Sequence, residues 1–102
     1  MMEKHYPMPI AELEKTDKQF FEMVKNVYDL AMTAGELDIK TKVLITLALD
    51  ALLGANAGVR TLATTARRLG ISDTQIAETL RIAYVTSGMG TLVASRSAFE
   101  EK

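Results

Sequence analysis

The sequence predicts an all-α protein, and three observations carry that prediction. Both prolines, Pro7 and Pro9, lie in the first ten residues, so no later position loses a backbone donor to proline. Apolar side chains from Phe20 onward recur at three- and four-residue spacing, the period of a helix face. Glycines at 35, 54, 58, 70, 88 and 90 then punctuate the chain at intervals suited to helices of ordinary length. The 102 residues give room for one domain. No repeat, low-complexity tract or long linker divides them. The expected organisation is an N-terminal tail and first turn over 1–14, then a single helical domain over 15–102.

The first helix is expected from about Asp17 to Ala34. Phe20, Val24, Val27 and Ala31 form its apolar stripe, with Phe21 and Tyr28 beside it and Gly35 at its C-terminal cap. Asp38 can cap a second helix over about 39–53, whose polar stripe is limited to Lys42, Thr46 and Asp50. The β-branched run from Val43 to Thr46 is compatible with a strand, but the absence of any turn signal until Gly54 favours helix. A third helix over about 55–69 turns Val59, Leu62, Ala66 and Leu69 inward, carries Arg67 and Arg68 in its last turn, and stops at Gly70. Ser72 and Gln75 form a capping box for a fourth helix, with Ile76, Leu80 and Ala83 inward. Ser87-Gly88-Met89-Gly90 is expected to break it before a fifth helix over about 91–101 that presents Leu92, Val93 and Phe99. The pattern is five helices with short connections.

Composition removes whole chemistries. With no cysteine there is no disulfide, no thiolate metal site and no peroxidatic thiol. The formal charge of −1 argues against a general nucleic-acid or membrane-surface binder. Charged or polar residues interrupt every apolar run before the roughly 20 residues needed to span a bilayer. The opening MMEKHYPMPI lacks a signal peptide's apolar stretch, so a cytoplasmic location is expected. Charge is uneven: residues 41–70 carry Lys42, Arg60, Arg67 and Arg68 against Asp50 alone, while the flanking segments are net acidic. Surface charge varies this much in many proteins without function.

Few residues form a chemical constellation. His5 is the only histidine and lies in a proline-flanked tail, so no two-histidine metal site exists and no metal is expected. Glu12 with Glu14, and Glu100 with Glu101, read as solvated helix ends. Gly54 and Gly58 echo a phosphate loop, but the spacing is wrong and no lysine follows the second; closer approach of two helix backbones is their simpler role. Gly88-Met89-Gly90 lacks the strand that precedes a nucleotide loop. The stretch TLATTARRLGISDTQIAETLRIAY resembles a helix-turn-helix through Ala66, Gly70 and Ile76. Thr65 and Thr79 stand where that motif needs apolar side chains, and Asp73 and Glu78 oppose Arg81 on the would-be recognition helix. Asp50 stands out as the one acid between Asp38 and Asp73, on an otherwise apolar helix. Burial would raise its pKa and a neighbouring Arg60, Arg81 or Arg96 would lower it. A functional carboxylate and a structural ion pair look alike at this level. Tyr84, Thr86 and Ser87 add hydroxyls late in the fourth helix, where capping is their plainer task.

Residues 37–70, LDIKTKVLITLALDALLGANAGVRTLATTARRLG, resemble the core of the carboxymuconolactone decarboxylase family, which includes the AhpD-like alkylhydroperoxidases. The following ISDTQIAETLRIAYVTSGMGTLVASRSAFE is similar to the same family in its glycine turn, capped helix and glycine-containing segment. The resemblance covers about residues 15–100 and implies an AhpD-like helical bundle that assembles as a homo-oligomer, trimer or hexamer. It also implies where a thiol relay would sit: the two cysteine positions hold Ala55 and Gly58, the histidine position Leu62 and the glutamate position Val43. None of the four can ionise, so thiol peroxidase chemistry is excluded.

Three functional readings follow. One is an enzyme acting on a small carboxylated or lactone-like molecule, with Arg60 or an interface arginine binding the carboxylate and Asp50 or Tyr84 moving protons. The second is a non-catalytic, homo-oligomeric binding or scaffold protein; the third, disfavoured by its acidic second helix, is a DNA reader. Convergence of Asp50, Arg60 and Tyr84 on one pocket would favour the enzyme, and an apolar, closed interior the non-catalytic protein. No cofactor, nucleic acid or membrane partner is expected. Association with itself is expected, because the helix over 39–53 is apolar on nearly every side. The faces around Phe20, Phe21 and Val93 also exceed what a small monomer covers.

Overall fold

The computed structural model describes residues 6–100. Helix α1 spans Met8–Ala11, α2 Leu13–Thr16, α3 Lys18–Met32, α4 Ile39–Leu53, α5 Asn56–Arg68 and α6 Asp73–Ser95, followed by a 3-10 turn over Arg96–Phe99. No strand occurs among the described residues. His5 lies outside them. The chain divides into two compact units, residues 1–35 and 36–102.

In the first unit, Asp17 starts α3 by accepting the Phe20 N–H at 3.1 Å. The helix ends at Met32, before Gly35, where the Thr33 hydroxyl donates to the Asp29 carbonyl at 2.6 Å. The inward face also differs from the expected stripe. Phe21 is buried, Val24 and Tyr28 are half-buried, and Phe20, Val27 and Ala31 are exposed. The Tyr6 ring decides this. It meets Phe21 edge-on at 6.2 Å and Tyr28 at 5.7 Å, and its hydroxyl donates to Asp29 Oδ2 at 3.0 Å. Helical spacing defines faces, but a residue outside the helix selects which one is covered. Burial, then the hydrogen bond to the Asp29 carboxylate, pushes the Tyr6 phenol up from its ordinary pKa.

The second unit is built on α4, which packs against both α5 and α6. Its N-terminus is fixed by Asp38, which accepts the Thr41 N–H at 2.8 Å; that bond holds the carboxyl below the usual aspartate range. Gly54 and Gly70 adopt positive φ of 73° and 85° and end α4 and α5. At Gly70 the Ile71 N–H reaches back to the Ala66 carbonyl and the Gly70 N–H to Arg67, both at 3.0 Å. The same pattern at Gly54 joins Ala55 to Asp50 and Gly54 to Ala51. These two turns fold α4, α5 and α6 around Val43, Leu47, Ala66, Ile71 and Ile76, with Leu44, Leu62, Ala63, Leu69 and Leu80 at the edges. No polar side chain is buried among the described residues.

The capping box forms as expected: Ser72 Oγ accepts the Gln75 N–H at 3.1 Å and Gln75 Oε1 accepts the Ser72 N–H at 2.8 Å. The expected break at 87–90 does not form. Helix α6 continues through Ser87-Gly88-Met89-Gly90 to Ser95, so the fourth and fifth expected helices are one element. Glycine in a helix interior costs roughly 1 kcal/mol relative to alanine but keeps its N–H donor, so it weakens a helix without forcing it to stop. Beyond Ala83 this helix has no buried residue, and Tyr84, Val85, Leu92 and Val93 are each more than half exposed.

Candidate functional site

The Gly54 turn sets the geometry around Asp50. It sends the chain back so that the first turn of α5 lies beside the last turn of α4, with the Asp50 carbonyl accepting the Ala55 N–H at 2.8 Å. The half-buried Asp50 carboxylate then lies directly against Gly58: a Cβ added there would overlap Oδ2 and stand 3.0 Å from Cγ. Ala55, the residue before α5, contributes no side-chain cap. A carboxylate beside uncapped N-terminal amides interacts favourably with the helix dipole. The glycine expected to allow two backbones to approach therefore accommodates a side chain.

Arg60 lies on the same helix and is exposed. No ion pair joins it to Asp50 among the described residues. Tyr84 stands elsewhere. Together with Ser87 it lines an open cleft of about 210 Å3 between α4 and α6, whose other walls are Ala51, Leu52, Leu80 and Ala83. The three sequence candidates thus sit on three helices and do not converge within one chain: Asp50 faces α5, Tyr84 faces the cleft, and neither Asp50 nor Arg60 lines it. Thr86 is exposed and does not line the cleft either. Leu52 and Leu80 were not legible as cleft residues, because their apolar character is shared with every core position.

The cleft has simple chemistry. The Ser87 hydroxyl is committed to the Tyr84 carbonyl at 2.8 Å, leaving its oxygen as an acceptor. The Tyr84 hydroxyl, on a residue 79% exposed, is the available donor. No cationic side chain lines the cleft. Among the described residues no cluster of three His, Cys, Asp or Glu side chains is placed to hold a metal ion, and no helix is long and apolar enough to cross a membrane.

Three of the four positions that resemble a thiol relay are taken up by packing, and the fourth, Ala55, is exposed. Val43 is in the core, Leu62 packs against it, Ala55 precedes α5, and Gly58 is filled over by Asp50. The sequence profile of the carboxymuconolactone decarboxylase family matches residues 18–101. The chain belongs to this family. The match spans α3 to the C-terminal 3-10 turn, so it takes in α3 of the first unit and all the described residues of the second. No curated protein and no solved structure matches the chain. Family membership is therefore established, the described residues are all-helical, and the sequence contains no cysteine.

Proposed function

We propose that this family member works without catalysis, as a homo-oligomer that binds a small, lactone-like molecule in the α4–α6 cleft. The observation that carries the reading is the cleft's lining: apolar walls, one free phenol donor at Tyr84 and no cation. A neutral lactone presents an acceptor carbonyl and an apolar ring, which matches that lining; a carboxylate would meet no cationic side chain there. The wholly apolar core and the separation of Asp50, Arg60 and Tyr84 support the non-catalytic reading. The exposed apolar faces of α4 and α6 support self-association, and the family resemblance is the ground for a trimer or hexamer. A cytoplasmic location remains part of the proposal.

A second reading is favoured by one feature, the half-buried Asp50 carboxylate that no ion pair or hydrogen bond engages among the described residues. In that reading Asp50 moves a proton and Arg60 binds a substrate carboxylate, the two brought to a cleft by assembly. Titration of a simple five-membered lactone and of its ring-opened hydroxy acid, followed by NMR shifts, separates the two. Lactone binding lost in Tyr84→Phe and kept in Arg60→Ala supports the first. Preference for the hydroxy acid, lost in Arg60→Ala, replaces it with the second.

A further inference from the structure

The C-terminal half of α6 carries a face that the other helices of its own unit leave uncovered. No charged residue occurs between Arg81 and Arg96. Ile82, Val85, Met89 and Leu92 are 66%, 56%, 51% and 63% exposed. Their spacing, i, i+3, i+7 and i+10, places them in one seam. Ile76, Leu80 and Ala83 face the core, so the seam lies on the other side of the helix. A solvated helix face normally carries charge; this one has none over nearly four turns.

The seam has charged ends of opposite sign. Continuing the same spacing, Glu78 precedes Ile82 by four residues and Arg96 follows Leu92 by four. Both are exposed, and neither has an ion-pair partner among the described residues. Each lies nine residues from Ser87. A two-fold axis crossing the seam at the level of Ser87, midway between Val85 and Met89, would therefore set Ile82 opposite Leu92, Val85 opposite Met89 and Glu78 opposite Arg96 in one antiparallel register. The alternatives are worse. Parallel pairing would place Glu78 beside Glu78 and Arg96 beside Arg96, and exposure to water would leave the seam uncovered.

We infer that the seam Ile82–Val85–Met89–Leu92 docks against the same seam of a second copy, antiparallel about a two-fold axis midway between Val85 and Met89, with Glu78 of each chain paired to Arg96 of the other. The contact is isologous, so every substitution acts twice. It uses the face opposite the core and leaves the Tyr84 cleft open. The inference rests on the homo-oligomer of the proposed function and assigns one of its interfaces. A trimer would need this two-fold contact to join trimers into a hexamer, whereas a two-fold contact alone gives a dimer.

The natural absence of cysteine makes a direct test possible. Chains carrying Ile82→Cys and chains carrying Leu92→Cys are mixed, allowed to exchange and oxidised. The expected product is the mixed disulfide dimer, in clear excess over either homodimer. Charge reversal gives an independent readout by sedimentation equilibrium. Glu78→Arg or Arg96→Glu alone should weaken the contact by about tenfold, since two exposed pairs become repulsive. The double reversal should restore affinity to within roughly threefold of the wild type. Homodimeric cross-links in excess, or single reversals without effect, would overturn the antiparallel register. A wild-type particle heavier than 11.2 kDa that gives no cross-link would overturn the seam as the interface while leaving self-association standing. A wild-type mass of 11.2 kDa at micromolar concentration would remove both.

Discussion

Replacing Gly58 by alanine should destabilise the protein, against the usual trend for a glycine inside a helix. In an unencumbered helix the change stabilises by about 0.5–1 kcal/mol, because alanine loses less backbone entropy on folding. At position 58 the new methyl would overlap Asp50 Oδ2 and stand 3.0 Å from Cγ and 3.6 Å from Cβ. The carboxylate tip can rotate, but Cγ and Cβ are tied to α4 by a short side chain, so the backbone of the Gly54 turn has to yield as well. Overpacking of this kind costs about 1–3 kcal/mol. The net expectation is a loss of about 1 kcal/mol. In an Asp50→Ala background the obstruction is gone, and Gly58→Ala should then stabilise by the ordinary amount. Urea unfolding of the four proteins at one fixed protein concentration gives the coupling free energy, expected at about 1–3 kcal/mol. Equal effects of Gly58→Ala in both backgrounds would refute the contact between Asp50 and α5. The same result would return Asp50 to the status of an ordinary surface acid.

Three further outcomes follow from the residues. An organic hydroperoxide with a dithiol reductant should be consumed no faster than in the no-protein control, because methionine sulfur cannot supply a thiolate. Turnover that disappears on mutation of the chain would contradict this. Random duplex DNA at physiological salt should bind no more tightly than about 10⁻⁴ M, because Arg67 of α5 is engaged by Asp73 at 2.8 Å and α6 carries Glu78 as a second acid. A salt-sensitive micromolar complex weakened by Arg68→Ala would revive the helix-turn-helix reading. Asp38 supplies an acid-sensitive contribution through its cap on α4: its folded pKa is lowered, so the stabilisation is present above the unfolded aspartate value and disappears as pH falls through the folded one. Asp38→Asn, which can still cap, should keep most of the stability at pH 7 and lose that part of the acid dependence; an unchanged acid profile would refute the assignment.

The sequence by itself determined the helical class, the starts of α3, α4 and α6 and the stop at Gly70. These depend on contacts within one turn: Asp17 to Phe20, Asp38 to Thr41, Ser72 to Gln75, and a left-handed glycine after the last helical residue. It also placed Leu62 and Ala66 of α5, Leu69 at its C-cap, and Ile76, Leu80 and Ala83 of α6 towards the interior, and it showed that the chain supplies no thiol. The choice between competing apolar faces was made only in three dimensions. On α3 both Phe20 and Phe21 satisfy a helical stripe, and the ring of Tyr6, fifteen residues before Phe21, covers one of them. The continuity of α6 was likewise hidden, because two interior glycines lower a helix's stability without deciding whether it ends. The meeting of Asp50 with Gly58 depended on the Gly54 turn, whose left-handed residue reverses the chain at one angle among many the sequence permits. Local hydrogen bonds are written into neighbouring residues, so they can be read along the chain; a side chain's neighbour across a turn is fixed by the path of the backbone, and only the folded structure sets that path.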